Sequence, residues 1–170
     1  MERSYSESGL TAERSYSESA LTVERSVLKT RLQNNKEQIF CSWRHRWVRL
    51  TPEEWVRQQL LHRLVEQLGY PASRIAVEVP FKQSQTISND SKQFRADAVV
   101  YDATMQPLVL IECKAETVPL TRRTLDQALT YNRLLAVPYL MLHNGPQTLM
   151  TRVTADSITP LSAVLPYSEL

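Results

Sequence analysis

The sequence predicts an α/β domain, a mixed β-sheet flanked by helices, and three observations predict it. Residues 52–68 carry apolar side chains at helical spacing between a capping signal and a glycine. Residues 75–81 alternate apolar with other residues, as a half-buried strand does. Leu108-Val109-Leu110-Ile111 is a continuous apolar run, the pattern of a central strand covered on both faces. A chain of 170 residues is long enough for one self-sufficient core, since a domain near this size buries roughly 70% of its unfolded surface.

The elements follow in order. Glu2-Arg3-Ser4-Tyr5-Ser6-Glu7-Ser8 recurs at Glu13–Ser19, and Glu24-Arg25-Ser26 begins a third copy, a period of 11 residues. Each copy holds too little apolar surface to offset the entropy of ordering it. Residues 1–36 therefore read as a Ser/Glu-rich duplicated tail, disordered or weakly helical, and 37–170 as the working domain. Ile39-Phe40-Cys41 and Trp47-Val48-Arg49-Leu50 flank Ser42–Arg46 as a hairpin.

Thr51-Pro52-Glu53-Glu54 then opens a helix, with Thr51 at the N-cap, Pro52 at N1 and Glu54 at N3. Val56, Leu60, Leu64 and Leu68 form its apolar stripe, and Gly69 ends it as a left-handed cap. Pro80 in the strand over 75–81 marks either a sheet edge or the strand's end. Residues 82–92 read as a loop, Phe94–Tyr101 as a second strand, and Asp102–Pro107 as a turn into the apolar run. Residues 121–136 read as a helix, Tyr139–Leu142 as a strand, and Asn144-Gly145 as a turn into Thr148–Val153. The C-terminal stretch reads as an irregular packed tail.

Composition excludes several classes. Only three glycines are present, Gly9, Gly69 and Gly145, scattered where a Walker A loop or a dinucleotide fingerprint needs them clustered. Two cysteines and three separated histidines make neither a disulfide scaffold nor a structural zinc site. No apolar run approaches the ~20 residues of a membrane span, and the N-terminus has no signal-peptide core, so the cytoplasm is the expected compartment and no membrane partner is implied. The net charge of +2 is unevenly spread: residues 29–74 hold nine Lys and Arg against four Asp and Glu. Within them, Trp43-Arg44-His45-Arg46-Trp47 interleaves cations with aromatics, which suits a phosphate backbone. A hairpin turn with packed tryptophans and solvated arginines is the plainer account of this patch.

The chemistry gathers on the second and third strands. Pairing Tyr101 with Leu108 in a hairpin sets Val99 opposite Leu110, Asp97 opposite Glu112 and Arg95 opposite Lys114, all on one face. Two carboxylates placed so repel each other with Cβ atoms ~5 Å apart. Glu112 also follows an apolar run, where an uncompensated charge is costly. A divalent cation offsets both, and Mg²⁺ takes one or two carboxylates while keeping sites for water and phosphate oxygens. Lys114 points the same way as Glu112 and can hold a water or offset charge on a phosphorane-like transition state. Two carboxylates and a lysine around a metal suit phosphodiester hydrolysis.

These residues resemble a known family. Arg95-Ala96-Asp97, fourteen residues, then Glu112-Cys113-Lys114 is similar to the PD-(D/E)xK nuclease motif. Trp47–Gln58, Leu68-Gly69-Tyr70-Pro71, Pro107–Ala115, Gln127 and Tyr131-Asn132 resemble the N-terminal nuclease domain of type I restriction enzyme R subunits, in particular its short stand-alone forms. The resemblance covers about residues 37–155 and implies a restriction-endonuclease-like fold. It implies Asp97 and Glu112 as ligands of Mg²⁺, or alternatively Mn²⁺, with the Cys113 carbonyl as a third and Glu54 acting through a bound water. It implies catalytic roles for Lys114 and Gln127, and DNA as substrate.

Tyr131, Arg95, Arg122, Arg123, Arg44 and Arg46 are the candidate DNA contacts, with solvated or packing roles open for each. A role for Glu54 as only the N3 member of its cap fits equally. Ala96 stands where the motif's name has proline, which shapes the strand rather than the chemistry. The missing glycine loop excludes a motor on this chain, so separate motor or specificity subunits, and a homodimer that cuts both strands, are compatible partners. Two other functions fit the same sequence: a nucleic-acid-binding module without useful catalysis, and a non-enzymatic adaptor working through the 11-residue repeats.

Overall fold

The structure, a computed structural model, describes residues 28–82 and 93–170. The expected duplicated tail up to residue 27 and the loop over 83–92 lie outside the described residues. Three strands open the fold: β1 (Thr30–Gln33), β2 (Lys36–Cys41) and β3 (Arg46–Arg49), paired antiparallel in that order. The predicted hairpin is β2–β3, with Ile39 opposite Val48 and Phe40 opposite Trp47. Strand β1 falls within the stretch assigned to the tail. All four of its residues are exposed, so it carries no apolar alternation by which sequence could mark it as a strand.

Helix α1 (Pro52–Leu68) follows with the expected ends. The Thr51 hydroxyl accepts from the Glu54 amide at 3.1 Å, and Gly69 takes φ +69° while its N–H returns to Leu64, a left-handed cap that glycine adopts without a Cβ penalty. The main sheet has six strands in the order β4 (Ile75–Lys82), β5 (Gln93–Tyr101), β6 (Pro107–Cys113), β7 (Tyr139–His143), β8 (Thr148–Val153) and β9 (Ile158–Pro160). Strand β4 is an edge, as Pro80 allows. All neighbours are antiparallel except β6 and β7. Parallel strands need a long crossover, and α2 (Arg122–Leu135) supplies it.

The helices cover opposite faces. Val56, Leu60, Leu61 and Leu64 of α1 pack with Ala98, Val100, Val109, Ile111 and Met141. Ala128 of α2 packs with Val99, Leu110, Leu140 and Leu142. Strand β6 thus buries Val109 and Ile111 on one face and Leu110 on the other, which is why its sequence is continuously apolar. Each such side chain stabilises the fold by roughly 1.5–3 kcal/mol through burial.

The C-terminal stretch is more regular than expected. It forms β9 and a 3₁₀ turn over Tyr167–Glu169, and Leu161, Val164, Leu165 and Tyr167 pack on the α1 side of the core. The Tyr70 hydroxyl donates to the Leu165 carbonyl at 2.8 Å. A three-residue strand is too short to show a period.

Candidate active site

Strands β5 and β6 pair as Ala98–Ile111, Val99–Leu110 and Val100–Val109, the register expected for these residues. The anchor differs: a bulge between Val100 and Tyr101 pairs Tyr101 with Pro107 rather than Leu108. At the other end the described ladder stops at Ala98–Ile111, so Asp97–Glu112 and Arg95–Lys114 are not cross-strand pairs. Instead the Asp97 Oδ2 accepts the Cys113 N–H at 2.7 Å. The side chain takes the place of the strand partner and brings Asp97 beside the backbone that links Glu112 to Lys114.

The cause lies in β4. Glu78 has φ +52°, the left-handed region that a non-glycine residue rarely occupies. Across it the strands change faces. Val77 packs on the α1 side and Val79 on the α2 side, and their partners Ala98 and Ala96 do the same. Asp97 sits at this turn-over, opposite Glu78, and so reaches α1. Strict alternation would have kept Asp97 on the α2 face with Val99, so the expectation of one continuous face over 95–101 is corrected.

Glu112 is 6% exposed and accepts from the Lys114 ammonium at 2.7 Å. Burial, and then the nearby Asp97 charge, raise its pKa above the usual carboxylate value despite the lysine. Burial disfavours the charged Lys114, but its bond to Glu112 and that carboxylate's charge prevail and raise its pKa. Lys114 therefore stays an ammonium at neutral pH. Its backbone N–H donates to the His143 carbonyl at 2.8 Å, which extends the β6–β7 ladder and fixes its position. The buried Cys113 thiol is pushed up in pKa by burial, so it is not a nucleophile.

Helix α1 adds a second group. Glu54 is buried, and its carboxylate does not return to the cap. It is bound by Arg44, by Arg57 and by the Gln58 amide, the last at 2.8 Å. Arg57 also reaches Asp97 Oδ1 at 3.2 Å and Glu78 at 3.5 Å. Arg44 reaches Glu78 at 3.0 Å. Burial opposes ionisation of Glu78, but Arg44, Arg57 and Arg95 hold its carboxyl below the usual range. Arg44 is thus a half-buried partner of two carboxylates rather than a free phosphate contact. Its guanidinium turns inward because Glu54 and Glu78 lie there.

Trp43 packs on the core and edge-on against His62, at 5.2 Å between rings. Arg46, Arg95 and Arg123 are exposed, with Arg95 4.0 Å from Glu78. Arg122 pairs with Asp126 at 3.0 Å. The exposed Gln127 donates to the Tyr131 hydroxyl at 2.9 Å, as their i, i+4 spacing allows. No hydrogen bond among the described residues joins Gln127 to Asp97, Glu112 or Lys114.

Sequence reasoning missed Arg57, Gln58 and Glu78. The helical offset of three places Arg57 beside Glu54, a signal that was legible. The convergence of Glu78 on it depends on the face change and was not.

Among the described residues no three His, Cys, Asp or Glu side chains form a ready cation cage. The carboxylates at the Cys113 segment are those of Asp97 and Glu112, and each already has partners: Arg57 and the Cys113 amide on Asp97, Lys114 on Glu112. Among the described residues, too, no helix is long and apolar enough to cross a membrane. An open cleft of about 500 Å³ lies between the start of α1 and the segment after Lys114, lined by Thr51, Pro52, Trp55, Ala115 and Glu116 among others, and none of Asp97, Glu112 and Lys114 lines it.

No curated protein matches the chain. Among solved structures it resembles a fragment of a putative HsdR subunit of a type I restriction enzyme from Vibrio vulnificus YJ016, at 21% identity and a TM-score of 0.49. That match covers 65% of this chain and 22% of the other, so the present chain corresponds to a small part of the longer protein. The family model described as type I restriction enzyme R protein N terminus matches residues 52–164. That span is more than half the sequence and includes α1, Asp97, Glu112, Lys114 and α2, and the chain belongs to this family.

Proposed function

We propose that the domain hydrolyses DNA phosphodiester bonds with a divalent cation, Mg²⁺ or alternatively Mn²⁺, in a restriction-modification setting. One observation carries the reading: the Asp97 carboxylate, bonded to the Cys113 amide, stands at the segment that bears Glu112 and Lys114. Asp97, Glu112 and Lys114 follow the PD-(D/E)xK order in sequence, and the Asp97–Cys113 bond supports reading them as one site. Family membership supports the biological setting, since the family is named for the N terminus of a restriction enzyme subunit.

The residues fit a hard cation. Two carboxylates and a backbone carbonyl leave room for water and phosphate oxygens, as Mg²⁺ requires. Burial first, and the Asp97 charge second, raise the Glu112 pKa despite Lys114, so a further cation beside it would favour its ionised form. A divalent cation there supplies a Lewis acid for the phosphate and lowers the pKa of water. Asp97 and Glu112 would hold it. Lys114, kept protonated, faces the charge that builds on the phosphate oxygens. Arg46, Arg95 and Arg123 offer exposed cations to the backbone, and Gln127 with Tyr131 would contact DNA or orient the scissile strand. Separate motor and specificity subunits would complete the system, and a homodimer would cut both strands.

A plasmid-nicking assay tests the reading. Cleavage should require Mg²⁺, stop with EDTA, and fall at least about 100-fold in Glu112→Ala and in Lys114→Ala. Undiminished cleavage by both variants overturns the site. The Arg57–Asp97 pair favours one second reading, a DNA-binding module whose acid is occupied by an arginine. It predicts DNA retardation in a gel with no nicking at any cation concentration.

A further inference from the structure

The Arg57 guanidinium occupies the side of Asp97 that a divalent cation would use. It lies 3.2 Å from Oδ1, while Oδ2 is engaged by the Cys113 amide. Arg57 is also tied to Glu54 and sits 3.5 Å from Glu78, so it is anchored on two further carboxylates independent of Asp97. Arg44 touches the same two carboxylates but not Asp97. Of the two arginines, only Arg57 bridges the Glu54–Glu78 pair to the candidate ligand.

We propose that Arg57 is the resident counter-ion of Asp97 and competes with the divalent cation for it. The inference rests on the nuclease reading above and concerns the regulation of that site. Without a cation, Arg57 neutralises Asp97 and fixes its rotamer. When a cation arrives, Arg57 leaves Asp97 but stays held by Glu54 and Glu78. Its freed N–H groups then face the site and seek an anion, and a DNA phosphate is the anion that comes with the substrate. Cation binding alone is therefore weak, and it is strengthened by DNA. Arg57 acts through Asp97 and is a positioning residue.

Calorimetric titration of Mg²⁺ into the apo protein tests this without turnover. Arg57→Gln should bind Mg²⁺ about tenfold more tightly than wild type, the equivalent of one charge-assisted hydrogen bond no longer competing. Arg44→Gln removes the same charge from the same cluster and reports the general electrostatic gain. It should bind Mg²⁺ clearly less tightly than Arg57→Gln.

Equal affinities in the two variants, or an unchanged affinity in Arg57→Gln, overturn the competition. Should Arg57→Gln fail to fold, the wild type decides by NMR of guanidinium Nε–H groups. Mg²⁺ should shift Arg57 and leave Arg44 nearly unmoved, and the absence of an Arg57 shift at saturation overturns the proposal. If wild type binds Mg²⁺ no better than Asp97→Ala/Glu112→Ala, the cation site itself fails. If wild type binds and the arginine variants coincide, only the role of Arg57 fails.

Discussion

Asp97→Asn and Glu112→Gln each remove one negative charge with almost no change of shape, yet they should move stability in opposite directions. Asp97 accepts from Arg57 at 3.2 Å, and a charge-assisted hydrogen bond contributes about 1.5–3 kcal/mol. Asp97 is about a quarter exposed and Arg57 keeps Glu54, so the expected loss is about 1 kcal/mol, or about 3–4 °C in Tm for a domain of this size. In Asp97→Asn the side-chain carbonyl oxygen still accepts the Cys113 amide.

Glu112 is the reverse case. Its raised pKa, from burial and the Asp97 charge, means that its ionised form costs stability even with Lys114 beside it. Neutralising it removes that cost, and Lys114, one-fifth exposed, can turn to water. The pH dependence has a definite sign. Below the ordinary value of 4.5 Glu112 is protonated whether folded or unfolded, and the variant has no advantage. As pH rises through 4.5 toward the raised folded value, the Glu112 contribution to wild-type stability is lost, and Glu112→Gln has no such loss.

Thermal melts in EDTA from about pH 4 to 8 measure both effects. Asp97→Asn should melt below wild type, and Glu112→Gln should melt above it by a margin that grows with pH. Both should lose any Mg²⁺-dependent rise in Tm. A Glu112→Gln variant that melts several degrees below wild type at the alkaline end would refute the claim of uncompensated charge and make Glu112 a structural anchor for Lys114.

Other consequences are simpler. Burial, with the Arg63 guanidinium nearby, lowers the His143 pKa to about 4. The His143 contribution to stability should fall as pH falls from 6.5 through about 4 and be absent in His143→Gln, so that the gap between the two proteins in denaturant unfolding changes by at most about 3 kcal/mol across that range. Thr51→Ala should cost about 1 kcal/mol by urea unfolding, because the Glu54 amide loses its cap. Gln127→Ala should leave stability within about 0.5 kcal/mol, since the residue is exposed, while cutting plasmid nicking about tenfold or more. Unchanged nicking would return Gln127 to a solvated helix position.

Much of the scaffold was legible because local signals agreed. Thr51, Pro52 and Gly69 bounded α1, the run from Leu108 to Ile111 marked the central strand, and Pro80 marked an edge or a strand end. Val99 does pair with Leu110, although the anchor from which that pair was expected, Tyr101 opposite Leu108, is displaced by the bulge between Val100 and Tyr101. What escaped was set by tertiary context. Nothing in Val77-Glu78-Val79 announces that the chain changes faces there, yet that change carries Asp97 toward α1. Arg44 looked like a surface cation because its neighbours in sequence are polar and aromatic. Its true neighbours, Glu54 and Glu78, are 10 and 34 positions away. Strand β1 and strand β9 are too short and too exposed to show periodicity.

The central claim is that Asp97 and Glu112 share a cation. Crystals of the domain soaked in Mn²⁺ and measured for anomalous scattering give the most direct answer. One strong peak is expected within ligand distance of Asp97, Glu112 and the Cys113 carbonyl oxygen, with Arg57 moved off Asp97. A saturating soak that leaves this position empty, with Arg57 still on Asp97, would contradict it.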